Sequence, residues 1–249
     1  HGLSSSGSLG AGQYGLYTAD AGVAFSNDNI TVSVSAKASI ADGPEYANPN
    51  ALIVEGADSA YNNFFNLQNY TAALSWNINN HWRLFLRGGN DTRNYAAKYY
   101  YTTSAYDESV EDMYSYWSQF SLFHQQGNKK TEINGSWTLG GDTFLFNPLF
   151  GANVHNTNVG SVSANHTIAF DGGLQIAFGA QGGIRSIEST DRGDHTNHSA
   201  GLYGILSKSF HNNLRATFSS RLDYDDNFGV EYLPHLSLAW NPGNFTVRG

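Results

Sequence analysis

The sequence predicts an all-β fold, a transmembrane antiparallel β-barrel, and three observations carry this prediction. Apolar and polar residues alternate along most of the 249 residues, which is typical of strands with two different faces. Short turns rich in Gly and Asn alternate with longer connections. Acidic residues gather in those longer connections. Together these features indicate a sheet with one apolar face and two chemically different rims.

Composition excludes several other classes of protein. Only 14% of the residues are charged, well below the ~25% typical of soluble globular domains. No apolar run of 18 residues occurs, so no transmembrane helix is expected. The chain has no cysteine, which excludes disulfides, thiolate metal sites and cysteine nucleophiles. No nucleic-acid partner is expected of this chain, whose formal net charge is −8.

The alternation is clearest in residues 30–40. Val32 and Val34 lie on one face of this segment, and Ser33 and Lys37 lie on the other. Residues 174–181 and 214–222 show the same pattern. A soluble β-sandwich with its apolar face inside would produce this alternation too, so the pattern alone leaves that fold open.

The connections favour the barrel over the sandwich. Tight turns are predicted at 27–29, 79–81, 127–129, 171–173, 211–213 and 241–243, and longer loops at 41–62, 100–113, 141–158, 188–199 and 225–232. Strict alternation of short turns and long loops is typical of transmembrane barrels. About twelve strands follow, the first at 4–11 and 15–26 and the twelfth at 230–241, and a thirteenth begins at Asn244.

Charge is sorted in the same way. The five predicted loops hold fifteen acidic residues and one basic residue, Arg192. Most other basic residues fall on the polar face of their strands. Five arginines are assigned there, and so to the barrel lumen: Arg83, Arg87, Arg185, Arg215 and Arg221. On the lipid side each would cost ~2–4 kcal/mol near the membrane midplane.

Both ends of the chain resemble a known family. The segment "RLDYDDNFGVEYLPHLSLAWNPGNFTVRG" (221–249) resembles a recurrent stretch of TonB-dependent outer-membrane receptors, and "SGSLGAGQYGLYTADAGVAF" (6–25) is similar to their first two barrel strands. Within this family, the chain resembles the vitamin B12 and iron-complex receptors. The resemblance implies a plugged barrel of roughly 22 strands. Residues 1–249 would be a partial β-barrel domain, about the first 12–13 strands, without the plug domain and the C-terminal strands.

This resemblance also implies a location, a function and partners. The expected location is the outer membrane of a Gram-negative bacterium. The expected function is active uptake of a large, scarce nutrient: a corrinoid such as vitamin B12, a ferric siderophore or haem. The partners would be outer-membrane lipid, the TonB complex through the N-terminal plug region, an organometallic ligand and, as a further candidate, a surface lipoprotein. A passive outer-membrane pore is the alternative, and a barrel enzyme is less favoured because His166 has no Ser–Asn partner in an alignable strand.

A tyrosine-rich segment is the predicted ligand site. Residues 98–117 combine acidic residues with aromatic ones, and the assigned contacts are Tyr99, Tyr100, Tyr101, Tyr106 and Tyr114. Aromatic faces with polar tips suit a flat, bulky ligand. The alternative is an aromatic belt where the strands leave the bilayer.

Two acidic segments are weaker candidates for a metal. Asp191, Asp194 and His195 lie in one predicted loop, and Asp225 and Asp226 lie in the next. Carboxylates suit calcium, although neither spacing matches an established calcium loop, and solvated acidic loops are the alternative. No cofactor is required.

The lumen arginines are predicted to hold a plug through its carboxylates, whereas in an open pore they would favour anions.

Overall fold

The computed structural model is an all-β structure that describes residues 1–52, 58–210, 213–241 and 247–248. Thirteen strands form one sheet: β1 (Gly2–Ala11), β2 (Tyr17–Ser26), β3 (Ile30–Ala41), β6 (Phe65–Asn77), β7 (Trp82–Ala96), β8 (Val110–Gln126), β9 (Lys129–Leu145), β10 (Ala152–Phe170), β11 (Leu174–Ser189), β12 (His195–Phe210), β13 (Leu214–Asp225), β14 (Gly229–Trp240) and β15 (Val247–Arg248). The strands β4 (Glu45–Ala47) and β5 (Ala60–Asn62) pair separately as a small hairpin. Within the described ranges, no helix has the length and apolar character needed to cross a membrane.

The large sheet is an antiparallel meander. Each strand pairs with the next one along the chain, and β3 pairs with β6 because the β4–β5 hairpin is inserted between them. This order confirms the predicted twelve strands and the beginning of a thirteenth. The predicted turn at 241–243 lies outside the described residues apart from Asn241, as do Asn244 and all of the turn at 211–213 except Asn213. In the described part of the chain, β1 and β15 are the two edges of the sheet.

The sheet is a single layer. In the described residues, the only buried hydrophobic side chains are those of Ala41 and Ala97. Val34 and Phe178 lie in the apolar segments of their strands, yet they are 57% and 50% exposed. A sandwich would bury one face of each sheet against the other. The sandwich alternative is therefore wrong, and the apolar face is open to its surroundings.

Register keeps the two faces separate across the whole sheet. Residues directly opposite each other in neighbouring strands share a face, and the apolar row runs from Leu86 through Phe120, Gly135 and Val162. The Phe120 ring covers Gly135 on the neighbouring strand, and a side chain at Gly135 would clash with this ring. The polar face lies one residue along, for example at Ser163. The predicted alternation is thus continuous from strand to strand.

Three of the predicted long loops are wrong in extent. The β9–β10 connection covers only 146–151, the β11–β12 connection 190–194 and the β13–β14 connection 226–228. The missing residues belong to strands that continue beyond the apolar segment. Around Asn156 and Asn158 both faces of β10 are polar, so the alternation disappears while the backbone pairing with β9 and β11 continues. Strand pairing, not the hydrophobic pattern, defines the strand ends here.

Candidate ligand-binding site at the loop end of the sheet

Three connections meet at one end of the sheet and form a loop cluster, defined here as residues 42–52, 58–64, 97–109 and 146–151. We call this end of the sheet the loop end and the opposite end the turn end. Asn50 Nδ2 donates to the Thr103 carbonyl oxygen over 3.3 Å, which joins the first connection to the second. Asn147 Nδ2 donates to the Tyr106 carbonyl oxygen over 2.8 Å, which joins the third to the second. Side-chain amides therefore tie three separate connections into one unit.

A buried carboxylate lies within this loop cluster. Asp107 is 0% exposed, and its Oδ2 accepts a hydrogen bond of 2.8 Å from the backbone N–H of Tyr99. Its Oδ1 accepts from the backbone N–H of Ser109 over 2.9 Å and also from the Ser109 hydroxyl. Buried polar groups are tolerated when they are hydrogen-bonded. Asp107 therefore orders the backbone on both sides of itself.

Tyr99 points into the loop cluster. Its φ of 59° lies in the left-handed region, which is uncommon for a residue with a side chain. Its hydroxyl donates to Asn48 Oδ1 over 2.9 Å, and its ring meets that of Tyr61 edge-on with centroids 5.0 Å apart. The contacts of the Tyr99 side chain are thus made inside the protein.

Three of the other predicted tyrosines face outward. Tyr100, Tyr101 and Tyr106 are 78%, 61% and 66% exposed. The ring of Tyr101 meets Tyr100 edge-on at 4.8 Å and Phe144 at 5.8 Å. Partial desolvation of this largely exposed ring, followed by the nearby Glu111 carboxylate, raises the pKa of the Tyr101 phenol above its ordinary value. A neutral phenol of this kind is able to donate a hydrogen bond to a ligand.

Tyr114, the fifth predicted ligand contact, lies in a strand and not in a loop. The residue belongs to β8 and shares the apolar face with Phe120, because the two are separated by an even number of residues. Its hydroxyl donates to Asn156 Oδ1 over 2.9 Å, and its ring stands 5.8 Å from that of Tyr116. This position on the outer wall is what the aromatic-belt alternative describes.

Several contributors to this region were missed from sequence. Asn48, Asn147 and Phe144 carry contacts of the loop cluster but lie in segments read as ordinary loop. Below the cluster, on the polar face, Tyr95 donates its hydroxyl to Glu111 Oε2 over 2.6 Å. The Asp-x-Ser spacing at 107–109 is typical of a carboxylate that bonds the backbone two residues on, and it was a usable signal.

The structure does not assemble the metal candidates into a site. Across residues 1–52, 58–210, 213–241 and 247–248, no group of three or more His, Asp or Glu side chains is arranged to hold a metal ion. Asp191 accepts from the Ser189 hydroxyl over 2.8 Å, Asp194 from the Ser189 backbone N–H over 3.4 Å, and His195 Nε2 lies 2.9 Å from the Arg192 carbonyl oxygen. These side chains each bond to the local chain.

The second acidic pair is also engaged within the protein. Asp225 Oδ1 accepts from Asn197 Nδ2 over 2.9 Å. Asp226 accepts from the backbone N–H of His198 over 2.7 Å, from His198 Nδ1 over 2.8 Å and from the Tyr224 hydroxyl over 2.9 Å. The His198 backbone bond first, then its imidazole and Tyr224, lower the pKa of the Asp226 carboxyl. Asp226 therefore fastens the β13–β14 connection to β12.

Acid is expected to release this fastening. Because the folded pKa of Asp226 lies below the ordinary carboxyl value of about 3.9, its stabilising effect is present above that value and is lost as the pH falls through the folded pKa. Hydrogen exchange at the His198 amide, corrected for intrinsic rate, should be constant from pH 7 to about 4 and faster below. Asp226→Asn should remove the dependence. Constant protection in the native protein down to pH 2 would contradict this assignment.

All five predicted lumen arginines share the polar face, but their partners differ. Arg221 pairs with Asp223, and Arg185 lies 3.6 Å from Asp225. The other three contact only neutral groups among the described residues: Arg83 donates to Asn77 over 3.0 Å, Arg215 to Ser207 over 2.7 Å, and the Arg87 guanidinium carbon lies 4.9 Å from the centre of the Trp117 ring. Arg83, Arg87 and Arg215 lie toward the turn end, and no carboxylate of the described wall pairs with them.

Comparison with solved structures supports the barrel assignment. The siderophore receptor PirA from Pseudomonas aeruginosa is 12% identical over 94% of this chain and 38% of its own, with a TM-score of 0.68. The FrpB iron transporter from Neisseria meningitidis is 12% identical over 97% of this chain and 44% of its own, with a TM-score of 0.70. The outer membrane transporter YddB from Escherichia coli is 13% identical over 91% and 36%, with a TM-score of 0.66.

At the level of sequence, no protein-family model and no curated protein matches the chain. Residues 1–249 span about two fifths of the length of these three solved structures. At this low sequence identity, the TM-scores show a common fold and nothing more. The chain therefore has the fold of part of the β-barrel of outer-membrane receptors and transporters.

Proposed function

We propose that this chain is part of the barrel of a TonB-dependent receptor, which takes up a large, scarce nutrient across the outer membrane of a Gram-negative bacterium. The observation that carries the proposal is the single-layered antiparallel sheet, whose exposed apolar face needs lipid around it. The barrel fold shared with PirA, FrpB and YddB supports it. A plug and the TonB complex would supply gating and energy, as the resemblance at both chain ends implies.

The ligand we propose is an iron complex, with a corrinoid or haem as the other candidates. Two of the three similar structures are described as a siderophore receptor and an iron transporter. The exposed rings of Tyr100, Tyr101 and Tyr106 at the loop end offer flat apolar faces with hydroxyl donors. Such groups suit a bulky organometallic ligand. A surface lipoprotein remains a further candidate partner at this end.

The arginines toward the turn end have a proposed role in the same protein. Arg83, Arg87 and Arg215 lack carboxylate partners in the described wall, so they are available to carboxylates of a plug. In a passive pore, the alternative function, the same charges would favour anions. Planar-bilayer recordings of the full-length protein distinguish the two functions. A steady conductance without TonB would favour the pore, whereas a closed barrel with TonB-dependent uptake would favour the receptor.

Removing the two adjacent exposed tyrosines is expected to weaken ligand binding. The double variant Tyr100→Ala/Tyr101→Ala in the full-length receptor should lose about 1–3 kcal/mol, since each aromatic contact contributes roughly 0.5–1.5 kcal/mol beyond burial. This corresponds to an affinity about 5- to 150-fold lower. Titration calorimetry with ferric siderophores, cobalamin and hemin measures it.

A tyrosine on the outer wall supplies the matched control. Tyr114→Ala removes a ring of the same kind from the apolar face, so it should leave the affinity unchanged. Equal affinities in the double variant and the native protein would place the ligand site elsewhere. Equal losses in the double variant and in Tyr114→Ala would point to a general disturbance of the barrel.

A further inference from the structure

Asp107 is the most deeply buried charged side chain of the described residues, and its carboxylate is surrounded by neutral hydrogen-bond donors. Its carboxylate oxygens accept from two backbone N–H groups and one hydroxyl, and it forms no salt bridge with a described residue. A carboxylate without a cation is retained in a buried position only where hydrogen bonds compensate its desolvation. The buried position of Asp107 is therefore stabilised by the backbone N–H groups that it binds.

This backbone belongs to the turn that sets the orientation of the exposed tyrosines Tyr100 and Tyr101. The bond from the Tyr99 N–H to Asp107 Oδ2 closes residues 99–107 into a loop, and the bonds to Ser109 fix the start of β8 at the next residue. Tyr99 holds its left-handed φ of 59° inside this loop. A backbone conformation of this kind persists where the surroundings over-determine it. Tyr100 and Tyr101 follow directly and face outward.

The same turn is joined to the neighbouring connection through one hydroxyl. Tyr99 donates to Asn48 Oδ1, and Asn48 is itself buried and donates through Nδ2 to the Asp58 carbonyl oxygen over 2.8 Å. Asn48 Oδ1 also accepts from the Asn50 backbone N–H over 2.9 Å. A continuous path of hydrogen bonds thus runs from Asp107 through Tyr99 to the connection that carries β4 and β5.

We propose that Asp107 is a positioning residue for the ligand surface: through Tyr99 it fixes the outward orientation of Tyr100 and Tyr101 and couples 97–109 to 42–52 and 58–64. The coupling is a property of the loops themselves, whereas its use for ligand capture rests on the proposed function. In this view Tyr99 is a structural residue, not a ligand contact. Preorganised loops lose less entropy when a ligand binds.

Hydrogen exchange in the full-length protein tests the coupling without any ligand. Asp107→Ala should speed exchange at the amides of Tyr99 and Ser109 by about 10- to 100-fold, the equivalent of one hydrogen bond to a charged group. Exchange in 58–62 should also increase, while exchange in 190–194 should stay the same. Glu108→Ala removes the exposed neighbouring carboxylate and should change neither loop.

Two milder variants separate the parts of the path and cover the case in which Asp107→Ala fails to assemble. Asp107→Asn keeps one carbonyl acceptor, so it should restore protection at either Tyr99 or Ser109 but not at both. Tyr99→Phe removes only the hydroxyl, so exchange should rise in 58–62 while the amides of Tyr99 and Ser109 keep their protection. Exchange profiles of these variants that match Glu108→Ala would overturn the proposal.

Ligand binding is the separate, second readout. The probes are ferric siderophores, cobalamin and hemin, and an increase in Kd for Asp107→Asn and Tyr99→Phe with unchanged stoichiometry is the expected result. If the full-length protein binds no probe while the exchange pattern holds, the proposed function fails and the coupling stands. If a probe binds equally to all variants while exchange differs, the coupling exists but does not position the ligand surface, and the proposal fails.

Discussion

Replacing Val162 by arginine in the full-length protein is expected to destabilise the folded barrel strongly. Val162 lies on the apolar face in a row with Leu86 and Phe120 and is half exposed. A cation on the lipid side costs ~2–4 kcal/mol near the midplane, which is about a 30- to 1,000-fold shift in the folding equilibrium. Urea titration in lipid vesicles, followed by heat-modifiable gel mobility, measures the loss.

The neighbouring residue provides the control for this experiment. Ser163 is on the polar face opposite Asn134 and Gln181, so Ser163→Arg places the same charge on the lumen side. We expect that variant to assemble like the native protein. Equal destabilisation by both substitutions would contradict the assignment of one face to lipid and the other to water.

Residues 1–249 refolded alone are expected to aggregate or to pair with a second copy. In the described residues, β1 and β15 are edges, so a row of backbone groups on each lacks a partner within the sheet. Each such group costs several kcal/mol in lipid, which is why membrane-spanning sheets are closed. Refolding in detergent and in bilayers, with light scattering and gel mobility, gives the answer.

One outcome of this refolding would favour a different protein. A heat-resistant monomer with a single defined conductance means that the strands before Asn241 close on themselves into a small pore. That result would contradict the partial-barrel interpretation and support the passive-pore alternative. Dimers that dissociate when proline substitutions block edge strand β1 would support the partial-barrel interpretation instead, because proline removes the backbone donors used in pairing.

The strands were predictable because one physical rule covers them. In residues 30–40 the apolar side chains recur at every second position, and the structure keeps that register through β2, β3 and β6. The rule fails where both faces meet water, as around Asn156 in β10, because alternation then has no driving force. The start of β8 was misplaced for the same reason, since this strand begins at Val110, inside the predicted loop 100–113.

The loop cluster was beyond the reach of sequence patterns. Asp107 and Glu108 are adjacent carboxylates, and one is buried while the other is exposed. The donors to Asp107 come from Tyr99 and Ser109 in its own connection. Its burial, in contrast, arises where three connections that are distant in sequence come together. Tyr99 and Tyr100 also differ, because the Tyr99 hydroxyl bonds to Asn48 within the loop cluster whereas the Tyr100 side chain is exposed. The tyrosine-rich composition therefore located the region but could not distinguish structural residues from exposed ones.

The unequal strand lengths give the barrel a sloping rim. β2 has 10 residues and β10 has 19, a difference of about 30 Å along the strand at ~3.4 Å per residue. With a strand tilt of ~35–45° this is roughly 20–25 Å in height above a common membrane surface. We expect strands β8 to β11 to extend farther from the membrane than the other strands, on one side of the barrel opening. Large external bodies such as antibodies would meet this side first, and small solutes would approach the tyrosines from the low side.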